Sequence, residues 1–304
     1  MTDSRLLVAG LAVAFCCSCS TNLSSLQTAR TLYPGQVRSH FGAGVYLPAG
    51  QMGNAVGAGV DVAKQGITAA IAQEPFVMEE KTKQQLITSG IALAVMPPSA
   101  MYETGVRVGL VDNLDVGFRY SINSVRLDAK WRPFHWGDED TRANPAARSR
   151  DLAVGFGVSR YIFTSPLVEA LDYVKLGDFD RWDFEFPLYA SVDFNPYFGI
   201  YLNPKYVYSV TTMDEELVAI GDVVNGVVEG NCCGEAIALN TRLPSRVDMH
   251  FWGATAGIKA GHPKVYGFLE VTVGYARAET TLLGLKRDLG GLMLQPNLGV
   301  AFAW

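Results

Sequence analysis

The chain has 304 residues, of which 49% are hydrophobic and only 18% charged, with a formal net charge of −5. That length admits one large or two ordinary domains, and the acidic balance shows no basic stripe of the kind that marks a nucleic-acid partner. Past the N-terminus, no apolar run approaches the roughly 20 residues that a membrane-spanning helix needs.

Residues 1–19 read as a signal peptide. Arg5 supplies a thin positive region, Leu6–Phe15 an apolar core of ordinary length, and Cys16-Cys17-Ser18-Cys19 follows directly. A small residue before a cysteine, just after a short apolar core, resembles the lipobox of bacterial lipoproteins, although Cys16 stands where that family usually has an aliphatic residue. The resemblance implies acylation at Cys19, with Cys16 or Cys17 as alternatives. Ser20, where an Asp would redirect sorting, implies the outer membrane. The competing reading is plain secretion, with cysteines that happen to adjoin the cleavage site. Residues 20–35 are expected to form a periplasmic linker. Beyond the leader only Cys232 and Cys233 remain. A disulfide prefers Cα atoms about 5.5 Å apart and a trans peptide holds neighbours near 3.8 Å, so these two imply no disulfide framework.

Alternation with period two predicts strands along most of the remaining chain. In the first, Val37, Phe41, Ala43, Val45 and Leu47 oppose Arg38, His40, Gly42, Gly44 and Tyr46. Residues 48–98 break the rhythm. Val56, Val60, Ala63, Ile67 and Ile71 recur at helical spacing, and the apolar stretch Leu86–Met96 stops at Pro97-Pro98, a strong helix terminator. Two helices are expected there as an insert that plugs the lumen or caps its mouth; an extra hairpin, making twelve strands, is the alternative.

The alternation then resumes. Tyr102, Val106, Val108 and Leu110 oppose Glu103, Gly105, Arg107 and Gly109; Leu114, Val116, Phe118 and Tyr120 oppose Asp115, Gly117, Arg119 and Ser121. Val125, Leu127, Ala129 and Trp131 face away from Arg126, Asp128, Lys130 and Arg132, as do Leu152, Val154, Phe156 and Val158 from Ala153, Gly155, Gly157 and Ser159. Phe184 to Phe194 on even positions oppose Asp183, Glu185, Tyr189, Ser191 and Asp193, and Phe198, Ile200, Leu202, Tyr206 and Tyr208 oppose Gly199, Tyr201, Asn203, Lys205 and Ser209. Trp252, Ala254, Ala256 and Ile258 oppose Gly253, Thr255, Gly257 and Lys259; Leu269, Val271, Val273 and Tyr275 oppose Glu270, Thr272, Gly274 and Ala276. The last segment sets Leu294, Leu298, Val300, Phe302 and Trp304 against Gln295, Asn297, Gly299, Ala301 and Ala303. A half-apolar strand at the end of a chain leaves an exposed edge unless it pairs with the first strand and closes a barrel.

What the second face carries separates a barrel from a soluble sandwich. A sandwich would show water a face rich in Lys, Glu and Thr; here it mixes glycine with ions of both signs, which suits a narrow lumen. Tyr102, Tyr120, Trp131, Trp252, Tyr275 and Trp304 gather near strand ends, as in the aromatic girdles of membrane proteins. Connections at Asp112-Asn113, Asn195-Pro196 and Gly261–Pro263 are tight, whereas 162–181, 211–246 and 277–290 are long. His135–Arg150 and Asn123 depart from that parity.

Leader, alternation and the terminal Phe302-x-Trp304 together resemble the outer-membrane β-barrel proteins of Gram-negative bacteria, over nearly all of residues 36–304. The resemblance implies an all-β fold: a closed antiparallel transmembrane barrel of about ten strands, residing in the bacterial outer membrane. It also implies contact with outer-membrane lipid, and recognition of Phe302 and Trp304 by the assembly machinery. The expected function is a channel or transporter for small-molecule solutes, with a non-conducting structural or adhesive surface barrel as the alternative.

Chemistry-bearing residues are few. Asp248 and His250, with Asp178, Asp180 and Asp183, resemble the acidic and Asp/His pairs of omptin proteases, but Asp248 and His250 share the outward parity of Trp252. An enzyme is therefore not expected. Neither is a metal or cofactor: the four histidines are scattered, and no phosphate loop or nucleophile elbow is present. The inward charges expected are Glu103, Asp115, Asp128, Asp183, Glu185, Asp193 and Glu270 against Arg38, Arg107, Arg119, Arg126, Lys130, Arg132, Lys205 and Lys259. Near-balanced signs read as a salt-bridged filling more readily than as a selective pore, which favours one sign. The run Arg126, Asp128, Lys130, Arg132 is a weaker candidate for attracting anions.

Overall fold

The computed structural model describes residues 21–73, 78–95, 98–137, 148–162, 179–213, 246–282 and 285–304. Ten strands close into an antiparallel barrel: β1 (Val37–Tyr46), β2 (Ser99–Val111), β3 (Leu114–Ser121), β4 (Ser124–Gly137), β5 (Ser149–Tyr161), β6 (Phe179–Asn195), β7 (Phe198–Met213), β8 (Arg246–His262), β9 (Val265–Leu282) and β11 (Gly291–Ala303). Each pairs with its neighbour in chain order, β9 pairs with β11, and β11 pairs with β1 from Arg38↔Ala303 to Gly44↔Asn297. The last strand thus covers the first, and no stave of the ring is left with a free edge. The eleventh strand, β10 (Leu285–Asp288), is a short return against the end of β9. It adds no stave to the ring.

The alternation sorts side chains as expected. Leu127 and Leu298 on the outer face are 63% and 62% exposed, whereas inward Lys130 and Gln295 show essentially no surface. Glycine on the inward face makes room for long side chains: the position a Cβ would take on Gly157 lies 2.9 Å from a guanidinium nitrogen of Arg126. Asp112-Asn113, Ile122-Asn123, Pro196-Tyr197 and Pro263-Lys264 are tight turns, and Asn113 takes the left-handed conformation (φ 65°) that Asn tolerates. The connection expected over His135–Arg150 is shorter than its sequence suggested. His135 pairs with Asp151 and Trp136 with Arg150, so β4 and β5 run on past a bulge between Trp131 and Phe134.

The insert between β1 and β2 forms α1 (Ala49–Ala72) and α2 (Glu80–Val95). Among the described residues no helix is long and apolar enough to cross a membrane. The pair sits at the end of the barrel away from Trp304. Gln51 of α1 donates to the Gly290 carbonyl, and Ala92 of α2 joins Leu23, Tyr46, Met101, Phe251 and Met293 in an apolar cluster across that mouth.

Candidate functional site

Residues 21–33, expected as a linker outside the barrel, run through its lumen. They are mostly polar, with Leu23, Leu26 and Leu32 between, show no periodicity of their own, and almost all are buried. A peptide in that position must find partners for its backbone groups, because none can reach water. The wall supplies them. Leu23 donates its N–H to Gln295 Oε1 (2.8 Å), and Ser25 and Leu26 donate theirs to the two oxygens of Glu270 (2.7 and 2.9 Å). Ala29 donates to Ser191 (3.2 Å) and Leu32 to Asp115 (3.2 Å). Carbonyls are served by cations and amides: Arg119 donates to those of Ser24 and Ser25 (3.0 Å each), Asn203 to Gln27 (3.0 Å), and Lys130 to Thr28 and Arg30 (3.0 and 2.8 Å). Lys205 and Thr272 both reach the Leu23 carbonyl.

The charged groups of the wall also pair with one another. A ladder of ion pairs crosses five strands: Lys130 to Asp115, Asp115 to Arg107, Arg107 to Asp128, Asp128 to Arg126, Arg126 to Glu185, and Glu185 to Lys205. Arg119 pairs with Glu103 (3.3 Å), which also accepts from Ser24 and Asn22. Lys259 pairs with Asp193 (2.7 Å), and Arg132 with Asp151 (3.1 Å). Asp183 takes Arg181 (3.0 Å), and Glu270 is held by Tyr201 (2.7 Å) besides the two plug N–H groups. Every expected lumen charge, Arg38 included, therefore lies inside the barrel or at its rim. Arg126, Lys130 and Arg132 are each engaged by carboxylates, which removes the basis for an anion path along that run.

Beside Thr21, bordered by Arg119, Arg126, Asp183 and Glu185, a cavity of about 10 Å³ remains, room for about one water. Leu26 also packs so closely on Gly42 that a Cβ there would collide with it.

Outside, Asp248 binds Arg246 (2.9 Å), and His250 bonds Tyr206 (2.7 Å) within a stack that includes Tyr208 and Trp252. The pair that resembled a protease motif belongs to the outer surface of the wall. Asp180 pairs with exposed Arg160. Asp178, Cys232 and Cys233, the acylation candidate Cys19 and the rest of residues 1–20 lie outside the described residues. Phe302 and Trp304 face outward at the C-terminal end. Among the described residues no cluster of three or more His, Cys, Asp or Glu side chains is placed to hold a metal ion.

Sequence reasoning missed Arg181 and Asp151 as inward groups, and missed the plug altogether. The available signal was a run of Thr, Asn, Ser and Gln at 21–28 beside a wall with more inward polar groups than its own pairing uses.

No family model matches the chain, and no curated protein matches it. Among solved structures, the N-terminal β-barrel domain of Pseudomonas aeruginosa OprF is 8% identical, covering 90% of this chain and 100% of that one, with a TM-score of 0.25. Ail, the attachment invasion locus protein of Yersinia pestis, is 8% identical over 89% of this chain and 99% of that one, with a TM-score of 0.22. At such scores neither carries weight, and the barrel stands on its own strand register.

Proposed function

We propose that the chain is a bacterial outer-membrane barrel that its own N-terminal segment holds closed. It would act as a structural or surface-interaction barrel rather than as an open pore. Membrane residence is supported by the outward face: Phe41, Phe118, Leu127, Phe156, Leu269 and Leu298 are all strongly exposed around the ring. So extensive an apolar surface is untenable in water and suits hydrocarbon. Strands of 13 residues, such as β2, β5 and β11, exceed the roughly 9–11 that a tilted membrane strand needs.

The observation that carries the closed reading is the occupied lumen, whose wall groups are hydrogen-bonded to residues 21–33. The expected reading as a small-molecule channel or transporter would require that segment to leave. An interaction role is supported by the capping hairpin, where Val56, Val60, Ile67 and Ile71 form an exposed apolar stripe along α1. Outer-membrane lipid around the wall, and assembly machinery acting at Phe302 and Trp304, complete the proposed set of partners.

Planar-bilayer recording of the purified full chain tests this. Silence is expected, and a steady ohmic conductance would refute closure. Recovery of the protein in the soluble periplasmic fraction would refute membrane residence.

A further inference from the structure

Residues 21–32 lie in the lumen without belonging to its sheet. Among the described residues they join no strand ladder and make no backbone–backbone hydrogen bond. Side chains of the wall read their main chain instead, and the reading has a direction. N–H groups from Leu23 to Leu32 meet oxygens of Gln295, Glu270, Ser191 and Asp115. Carbonyls from Leu23 to Arg30 meet donors on Lys205, Arg119, Asn203 and Lys130. These wall groups stand on β3, β4, β6, β7, β9 and β11, so the segment is held from all round the ring. It is held as a guest peptide is held, not as a further strand.

The most specific contact is at Glu270. The successive N–H groups of Ser25 and Leu26 converge on its two oxygens (2.7 and 2.9 Å), and Leu26 takes a left-handed φ of 43°, uncommon for leucine. Consecutive N–H groups turned together by a left-handed residue form a nest that suits an anion. Here the segment supplies the nest and the buried wall supplies the carboxylate. Side chains contribute less evenly. Leu23, Leu26 and Ala29 enter three separate apolar clusters, whereas Thr28 offers Lys130 its carbonyl. The tie to β1 is an exposed turn: Gln36 donates its N–H to the Tyr33 carbonyl (2.9 Å) across Pro34 and Gly35. Gly35 has φ 73°, as the third residue of a type II turn requires.

We infer, resting on the closed-barrel reading above, that the lumen is a binding site for extended peptide and that residues 21–33 are its intramolecular occupant. The ligand class is a mainly polar peptide running in the same direction as this segment. It carries small or aliphatic side chains, and a left-handed residue where its N–H groups meet Glu270. While the turn at Pro34-Gly35 is intact, the tethered segment outcompetes free peptide through its high effective concentration. Cutting the turn removes that advantage and leaves the same contacts open to a peptide supplied separately.

The test uses the full chain folded in detergent micelles, with a protease recognition sequence inserted between Pro34 and Gly35, an exposed position where a Cβ would meet nothing within 4 Å. After cleavage, a fluorescent peptide of residues 21–33 should replace the cut segment and co-migrate with the folded barrel, while uncut protein takes up none. Thr28→Ala in the peptide should change its affinity by less than about threefold, whereas N-methylation at Ser25 should weaken it about tenfold or more, the worth of one hydrogen bond to a charged group. Equal affinities for the two altered peptides would overturn reading through the main chain. If the cut segment stays in place, the protein is unfolded in urea, freed of that fragment, and refolded with excess labelled peptide. Label inside a barrel that keeps its gel-migration shift supports the site; a barrel that refolds empty, or not at all, overturns it. Steady conductance from the uncut chain removes the closed-barrel reading itself. Silence of the uncut chain, with no uptake by the cut one, overturns the peptide site alone.

Discussion

Replacing Arg107 with methionine probes the ion-pair ladder at its centre. The guanidinium is 3% exposed and bridges Asp115 and Asp128, which share no other common partner among the described pairs. Without it, Asp115 keeps Lys130 at 3.4 Å and Asp128 keeps Arg126 at 3.7 Å. Breaking a buried pair by removing one partner costs about 3–5 kcal/mol, because the other charge stays buried and under-compensated. Two pairs are broken here, but each carboxylate retains a cation, so the expected loss stays near about 3–5 kcal/mol rather than doubling. With a urea slope of about 2 kcal/mol per molar, the unfolding midpoint in lipid vesicles should fall by about 1.5–2.5 M. Heat-modifiable gel migration reports the folded fraction at each urea concentration. Adding Asp128→Asn should return part of the loss, with a coupling of about 1–3 kcal/mol. A midpoint that moves by less than about 0.5 M, or a double variant no better than the single one, would refute the ladder as a network of compensated buried charges.

Three further outcomes follow from the same geometry. Leu127→Arg, on the outer face of β4, should cost about 2–4 kcal/mol in vesicles if that face meets hydrocarbon, and almost nothing if it meets water; urea titration of the vesicle-inserted protein separates the two. Gly42→Val places a side chain where Leu26 packs and should destabilise the barrel by about 1–3 kcal/mol, with Leu26→Ala relieving part of the cost in the same titration. Glu270→Ala removes the acceptor of the Ser25 and Leu26 N–H groups. It should turn a silent protein into one showing intermittent conductance steps in planar bilayers, while the migration shift of the folded barrel persists.

The wall was legible in the sequence because a strand writes its two environments on alternate residues. Leu298 and Gln295, or Leu127 and Lys130, announce lipid-facing and inward positions without any knowledge of neighbours. Closure was legible too, since a half-apolar strand over residues 291–303 leaves an exposed edge unless another strand covers it. The plug was not. Much of its hold on the barrel is exerted through backbone N–H and C=O groups that every residue possesses, so Ser24, Ser25 and Thr28 read as a linker. The partners of the inward charges were equally hidden. Arg126 and Glu185 lie far apart in the chain, and only the ring of β4, β5 and β6 brings them together. The helical insert announced itself by spacing, yet its seat on the barrel involves Gln51 meeting a carbonyl at Gly290, which no local pattern encodes.

A photo-activatable side chain at Leu26 in the folded, membrane-inserted protein tests the central claim most directly, because Leu26 lies against Gly42 of β1 and Gly299 of β11. Irradiation followed by peptide mapping should link residue 26 to the peptides carrying those two glycines. Linkage to lipid, to another protein, or to nothing in the wall would contradict a barrel filled by its own N-terminal segment.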